Sequence, residues 1–152
     1  MRSVLLIAVF LLLCGISFLY SNEIAFAIAG RLALCAMFLF VGVLHLNYSE
    51  GIYLTYPDFL SQTFKIRLVF AVADLQFAFA TGLVFANVSR IIVPLVLMYL
   101  VLGLFTQIKA CLKHISVKRE NYTGRGIAYL FFKIPEQLFI IGWTYYFVLY
   151  LQ

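Results

Sequence analysis

The stretch GRLALCAMFLFVGVLH, residues Gly30 to His45, decides the fold of this chain. At the period of an α-helix, five of its residues fall on one stripe: Arg31, Cys35, Phe38, Gly42 and His45. The other faces are apolar, and the flanking residues extend the apolar run over 24–46, which is long enough to span a membrane. Because an arginine inside a spanning helix costs about 2.5–3.5 kcal/mol on insertion scales, we expect the stripe to face protein.

The composition places the whole chain in the membrane. Of its 152 residues, 65% are hydrophobic and 11% are charged, and the mean hydropathy is +1.05. In a soluble domain, about a quarter of all residues are charged. Each span takes about 20 residues, so the length suits one domain over 1–152, an all-α transmembrane bundle of four or five helices.

The net charge of +5 does not indicate a nucleic-acid partner. The basic residues are concentrated near the ends of hydrophobic segments and in one loop, as the positive-inside bias produces. The partners expected are therefore membrane lipids and other membrane subunits.

Five apolar runs predict five spans. The first has about 17 residues, which suits a signal peptide as well as a short span. Because no convincing small-residue cleavage site follows it, we interpret it as a retained signal anchor. The spans are predicted at about residues 4–20, 24–46, 65–86, 91–110 and 128–149.

The longest polar interval in the first half of the chain, 47–64, is dense in tyrosine. Tyrosine favours the membrane interface, so we expect this interval to lie along the surface around a turn at Tyr56-Pro57. A substrate-gating loop is the alternative.

Loop charge sets the predicted orientation. The segment 113–125 carries four basic residues and one acid, so it belongs in the cytoplasm. This loop follows the fourth predicted span, and the chain changes sides of the membrane with each span. The N-terminus is therefore predicted in the cytoplasm and the C-terminus outside. Arg90, in a predicted outer turn over 87–90, is the exception.

Polar residues inside the spans predict two contacts. Asp74 lies about 15 Å into its helix, at a depth similar to that of Arg31, and we expect a buried ion pair between them. The alternative is that each faces a separate cavity or that the arginine extends outward. We also expect His45, Gln107 and Gln137 to form a polar cluster in the cytoplasmic half, unless each amide bonds a local carbonyl.

No motif indicates a metal site or thiol chemistry. Cys14, Cys35 and Cys111 are isolated, and we interpret them as small buried apolar residues. His45 and His114 share no helix face, so we predict no metal. Aromatic residues make up 18% of the chain. Their rings could stack against a quinone or sterol ring, although such residues more often pack in the core or contact lipid.

Several short motifs, taken in order over about residues 30–147, resemble the DoxX-like family of small membrane proteins. The sequence has FVGVLH over 40–45, Asp74 in mid-helix before TGL over 81–83, FTQ over 105–107, and KIPEQ over 133–137 followed by a tryptophan. The resemblance implies a four-helix core with the first helix packed outside it. Together with Arg31, which the helical stripe singles out, these motifs give the candidate ligand-binding or polar intramembrane cluster: Arg31, His45, Asp74, Gln107, Gln137 and Trp143.

The same resemblance gives the functional expectation. The leading hypothesis is an accessory integral membrane subunit, in a quinone-linked or redox-linked complex, that binds a lipophilic ligand such as a quinone. One alternative is a catalytic subunit of a membrane oxidoreductase that uses Asp74 and Arg31. Another is a small-solute transporter, although the paired repeats of that class are not evident. The sequence leaves open whether the chain is an enzyme.

Overall fold

A computed structural model describes residues 2–21, 25–118, 122–124 and 126–151. This part of the chain is built from helices joined by short turns. The helices are α1 (Arg2–Ser21), α2 (Phe26–Asn47), α3 (Ser49–Tyr53), α4 (Gln62–Val84), α5 (Ala86–Leu112) and α6 (Leu130–Thr144), with a 3-10 turn at Ile127–Tyr129 before α6 and a π-helical segment at Tyr145–Tyr150 after it.

Four of these helices are long and apolar enough to cross a membrane. They are Arg2–Tyr20, Phe26–Asn47, Gln62–Val84 and Ile91–Leu112. The all-helical architecture is therefore confirmed for the described residues, and the length and composition of these four helices are those of membrane spans. The fifth predicted span, 128–149, corresponds to α6, which has 15 residues, and to the π-helical segment that continues it.

The turn predicted over 87–90 is wrong. Helix α4 ends at Val84, and Phe85 alone leaves the helical conformation, with φ −89° and ψ 119°, before α5 begins at Ala86. One extended residue is enough to interrupt the helical hydrogen-bond ladder, so no polar turn is needed. Because α5 begins at Ala86, Pro94 lies inside this helix.

Helix α2 forms the centre of the bundle. It packs against α1, α4, α6 and the π-helical segment, and its middle residues Ala33, Leu34 and Phe38 are at most 1% exposed. On the stripe that we expected to face protein, Cys35, Phe38 and Gly42 are buried, while Arg31 and His45 are half-buried. The remaining core comes from Leu6, Phe79, Ala80, Leu83, Val93, Val96, Leu100, Ile140 and Val148.

Two connections meet at one end of the bundle, which we call the loop end: residues 48–61 and 113–118. Gly51 lies so close to this second connection that a Cβ atom on it would be 2.0 Å from the backbone oxygen of Val117. Lys109 donates to the carbonyl of Tyr56 and lies 3.1 Å from an Asp58 oxygen. The ammonium groups of Lys113 and Lys109, which donate to the Asp58 carboxylate, lower its pKa to about 2.

The close approach at Gly51 gives a stability prediction. We expect Gly51→Ala to lower the free energy of unfolding by about 1–3 kcal/mol, because a backbone oxygen cannot move aside as a flexible side chain can. Gly142→Ala is the matched control, since nothing lies within 4 Å of its added Cβ. Thermal unfolding in detergent, followed by near-ultraviolet circular dichroism, measures both. Equal midpoints for the two variants would contradict the packing of these connections.

Candidate functional site

A small cavity lies inside the bundle, in the half nearer the loop end. Its volume of about 20 Å³ has room for about one water molecule. Its polar lining is contributed by α1, α5 and α6, and α2 supplies apolar wall. The lining residues are Arg2, Met37, Phe38, Val41, Tyr99, Leu100, Gly103, Gln107, Gln137 and Ile140.

Two glutamines join α5 to α6 beside this cavity. Gln107 Nε2 donates to Gln137 Oε1 at 3.2 Å. Gln137 is 3% exposed, and its own Nε2 donates to the carbonyl oxygen of Leu100 at 2.9 Å. The carbonyl to which Gln137 donates belongs to α5, so the Gln137 amide links two helices and does not bond a carbonyl of its own helix.

A third glutamine extends the polar group to α4. Gln76 is fully buried and donates from Nε2 to the hydroxyl of Tyr99 on α5. The Tyr99 ring lies 5.7 Å from the ring of Phe79 and 6.2 Å from that of Phe38. The hydroxyl is thus the polar tip of an otherwise aromatic cluster, and Tyr99 is one of the residues that line the cavity.

Two acceptor atoms in this region have no hydrogen-bond partner within the described chain. They are Gln76 Oε1 and Gln107 Oε1, and both are buried. An unsatisfied buried acceptor costs about 1–3 kcal/mol. Of the two residues, Gln107 lines the cavity, so a hydrogen-bond donor placed there would satisfy its oxygen.

Charged groups lie on the side of the cavity nearest the start of α1 and α6. Arg2 is half-buried and lines the cavity. Lys133 donates to Glu136 at 2.7 Å, with both side chains largely covered, and Ser3 lies 3.4 Å from the same carboxylate. A guanidinium carries donors and no acceptor, so Arg2 complements the free amide oxygens.

Only two of the six predicted site residues come together, Gln107 and Gln137. His45 Nδ1 bonds the carbonyl of Val41 in its own helix at 3.0 Å, and His45 is not among the residues lining the cavity. Trp143 lies in the opposite half of the bundle and donates to the carbonyl of Gly30 at 3.1 Å. Whether these residues serve a ligand stays a prediction.

The predicted ion pair between Arg31 and Asp74 is not formed. Asp74 is exposed, and the ion pairs within the described chain join Asp58 to its two lysines and Lys133 to Glu136. The residues of α4 that face the core are Val69, Ala73, Gln76, Phe79, Ala80 and Leu83. Asp74 comes two positions before Gln76, which corresponds to a rotation of about 200° around the helix axis. Its side chain therefore points away from the stripe that faces the core.

Three polar members of the site, Arg2, Gln76 and Tyr99, were missed by the sequence analysis. Gln76 carried a usable signal, since small and bulky apolar residues at spacings of three and four mark the packed face on which it lies. Arg2 gave no such signal, because it comes immediately before the first apolar run and a basic residue there is typical of the membrane surface. Its side chain could be placed in the bundle only once α1 was known to pack against α6.

Within the described chain, no group of three or more histidine, cysteine or acidic side chains could hold a metal ion. No family model, curated protein or solved structure matches the sequence. The chemistry of the site therefore has to be argued from its own atoms. These are a donor group on Arg2, a hydroxyl on Tyr99 and free amide oxygens in an apolar surround, which is an arrangement suited to hydrogen bonding one polar atom.

The bridge between α5 and α6 gives the second prediction. Gln137→Leu leaves the Gln107 Nε2 group without its acceptor and removes the second bond that the Leu100 carbonyl accepts, so we expect a loss of about 1–3 kcal/mol in the free energy of unfolding. Adding Gln107→Leu should recover part of that loss, since the second change removes one of the unpaired groups. Unfolding in mixed micelles measures the cycle, and strictly additive losses would contradict a direct bond.

Proposed function

We propose that the chain crosses the membrane five times, with residues 130–150 as the fifth span, the N-terminus in the cytoplasm and the C-terminus outside. The helical course of 130–150 is unbroken, and α6 packs against α1, α2 and α5. The loop end carries the basic side chains Lys109, Lys113 and Lys118. These positions favour a cytoplasmic loop end under the positive-inside bias.

Accessibility labelling tests this topology. With the native cysteines replaced by alanine, Ser116→Cys should react only with a membrane-permeant maleimide in intact cells. Asn22→Cys, at a position outside the described residues, should react with an impermeant maleimide as well. The reversed pattern would contradict the orientation, and labelling of both positions from one side would contradict the number of spans.

We propose that the protein is an accessory membrane subunit that binds the polar head of a lipophilic ligand in the cavity, as the resemblance to DoxX-like proteins suggests. The observation that carries the proposal is a cavity lined by both Arg2 and Gln107, since the buried Oε1 atom of Gln107 has no hydrogen-bond partner in the described part of the chain. In an apolar bundle, buried polar groups that the fold leaves unsatisfied are a functional signal.

The size and chemistry of the cavity favour a hydroxyl-bearing ring. Only one polar atom fits within about 20 Å³, so the ring and tail of the ligand would lie between helices. A hydroxyl group can donate to Gln107 Oε1 and accept from the Arg2 guanidinium, whereas a carbonyl can only accept. We therefore expect a reduced quinone, a quinol, to bind better than the oxidised form.

The catalytic alternative has less support than the accessory one. It relied on Arg31 and Asp74 acting together, and Asp74 is exposed on α4, away from the stripe that faces the core. Redox chemistry would then belong to a partner subunit of the complex. The role left for this chain is to hold the ligand.

Ligand binding is tested with purified protein in nanodiscs, a short-chain quinol and its quinone. We expect the quinol to raise the thermal midpoint, since a ligand at about 100 times its Kd adds about 2.7 kcal/mol of stability. Gln107→Leu should abolish the increase. Thr144→Val is the control, because Thr144 is a buried polar residue that does not line the cavity and bonds the carbonyl of Ile140 in its own helix.

The possible results separate clearly. A midpoint that rises with quinol in the natural sequence and in Thr144→Val, but not in Gln107→Leu, supports the site. No rise with either probe, or the same rise in all three proteins, would overturn it.

A further inference from the structure

Asp74 is a charged residue in the middle of a membrane-crossing helix, and it is exposed. It lies about 18 Å from the start of α4 and about 15 Å from its end. Its side chain is on the face of α4 that points away from the core. A carboxylate at the centre of the bilayer costs several kcal/mol unless a partner group meets it, and the described ion pairs leave it out.

Phe70 and Phe77 border this face and Arg67 lies on it near the start of α4, but the residues along its centre on either side of Asp74 are small. Ala71 precedes it by three positions, and Ala78 and Thr81 follow by four and seven, so the set repeats at the spacing of a helix-packing seam. All of them are exposed. The Thr81 hydroxyl bonds the carbonyls of Phe77 and Ala78 in its own helix, at 3.1 and 3.0 Å, so it adds little polarity to the surface.

We propose that two copies of this chain associate in the membrane through this face of α4, with the two Asp74 side chains hydrogen-bonded to each other across the dimer axis. Small side chains let two backbones approach closely, and polar residues hold such contacts together in lipid. A carboxyl group that carries its proton is both a donor and an acceptor, so a pair of them satisfies itself without a third group.

The sequence of the face favours a second copy over an unrelated partner. Copies of one protein share one orientation in the membrane, so α4 can meet α4 only in parallel, and a two-fold axis brings each seam position opposite itself. Ala71 then meets Ala71, Asp74 meets Asp74 and Ala78 meets Ala78. From Ala71 to Ala78, the contacts at the seam positions are small against small or carboxyl against carboxyl. Arg67, one turn earlier and near the start of α4, is long enough to extend to the headgroups.

The experiment is disulfide cross-linking in native membranes, in a background where Cys14, Cys35 and Cys111 are alanine. Ala78→Cys should form covalent dimers on mild oxidation. Leu102→Cys is the matched control, since Leu102 is 55% exposed in the middle of α5. Adding Asp74→Leu to Ala78→Cys should reduce the cross-linked fraction about tenfold, whereas adding Asp74→Asn should preserve it, because an amide pair also donates and accepts.

A second measurement covers the case in which Asp74→Leu does not fold. Ala78→Ile adds bulk at an exposed position, so the monomer should keep its thermal midpoint while the energy transfer between two fluorescently labelled copies in liposomes is lost. Equal cross-linking at positions 78 and 102 would overturn the proposal. So would loss of the dimer in Asp74→Asn as complete as in Asp74→Leu, which would mean that the carboxylate pairs with a cation of another protein.

Discussion

Lipid offers no hydrogen bonds, so every polar atom inside a spanning helix has to be satisfied within the protein or by something that the protein binds. In this chain that constraint gathers three buried or half-buried glutamines into one half of the bundle. Gln76 bonds Tyr99, Gln107 bonds Gln137, and Gln137 bonds a backbone carbonyl of the next helix. This arrangement gives most of these polar atoms a hydrogen-bond partner and leaves two acceptors, Gln76 Oε1 and Gln107 Oε1, without one. For this reason the cavity beside Gln107 is the proposed ligand site.

The other half of the bundle is closed by aromatic packing. Gly30 lies against the ring of Phe147, so closely that a Cβ atom there would be 2.1 Å from it. The Trp143 ring lies 4.5 Å from that of Phe147 and 5.0 Å from that of Phe10 on α1. Tight contacts of this kind leave no room for a ligand, so the proposed ligand would have to enter from the loop-end half, where the wall of the cavity includes the long side chains of Arg2 and Gln107.

Hydropathy predicted the helices well because it depends on composition over about 20 residues. The side-chain contacts were harder to predict, because they depend on how each helix is rotated about its axis and shifted along it relative to its neighbours. Counting from the predicted span ends put Gln107 and Gln137 up to roughly 9 Å apart in depth. In the structure α5 extends to Leu112 and α6 begins at Leu130, which reduces the difference to about 3 Å and permits the direct bond.

Asp74 and Gln76 show how rotation decides the role of a polar residue. Both lie at nearly the same depth, and depth alone favoured the charged one as the buried partner of Arg31. The helix places Gln76 among Ala73, Phe79 and Ala80 and turns Asp74 outward. Burial of the neutral amide is the less costly choice, because a buried amide needs one or two hydrogen bonds, whereas a buried charge needs a full counter-charge.

This division gives α4 two polar faces with separate tasks. The inner face contributes to the cavity region through the bond from Gln76 to Tyr99, and the outer face presents Asp74 beside small residues. Since the two side chains point in nearly opposite directions, a change in one leaves the contacts of the other in place. The proposed ligand binding inside the bundle and the proposed association outside it would therefore be separable, and loss of one would not require loss of the other.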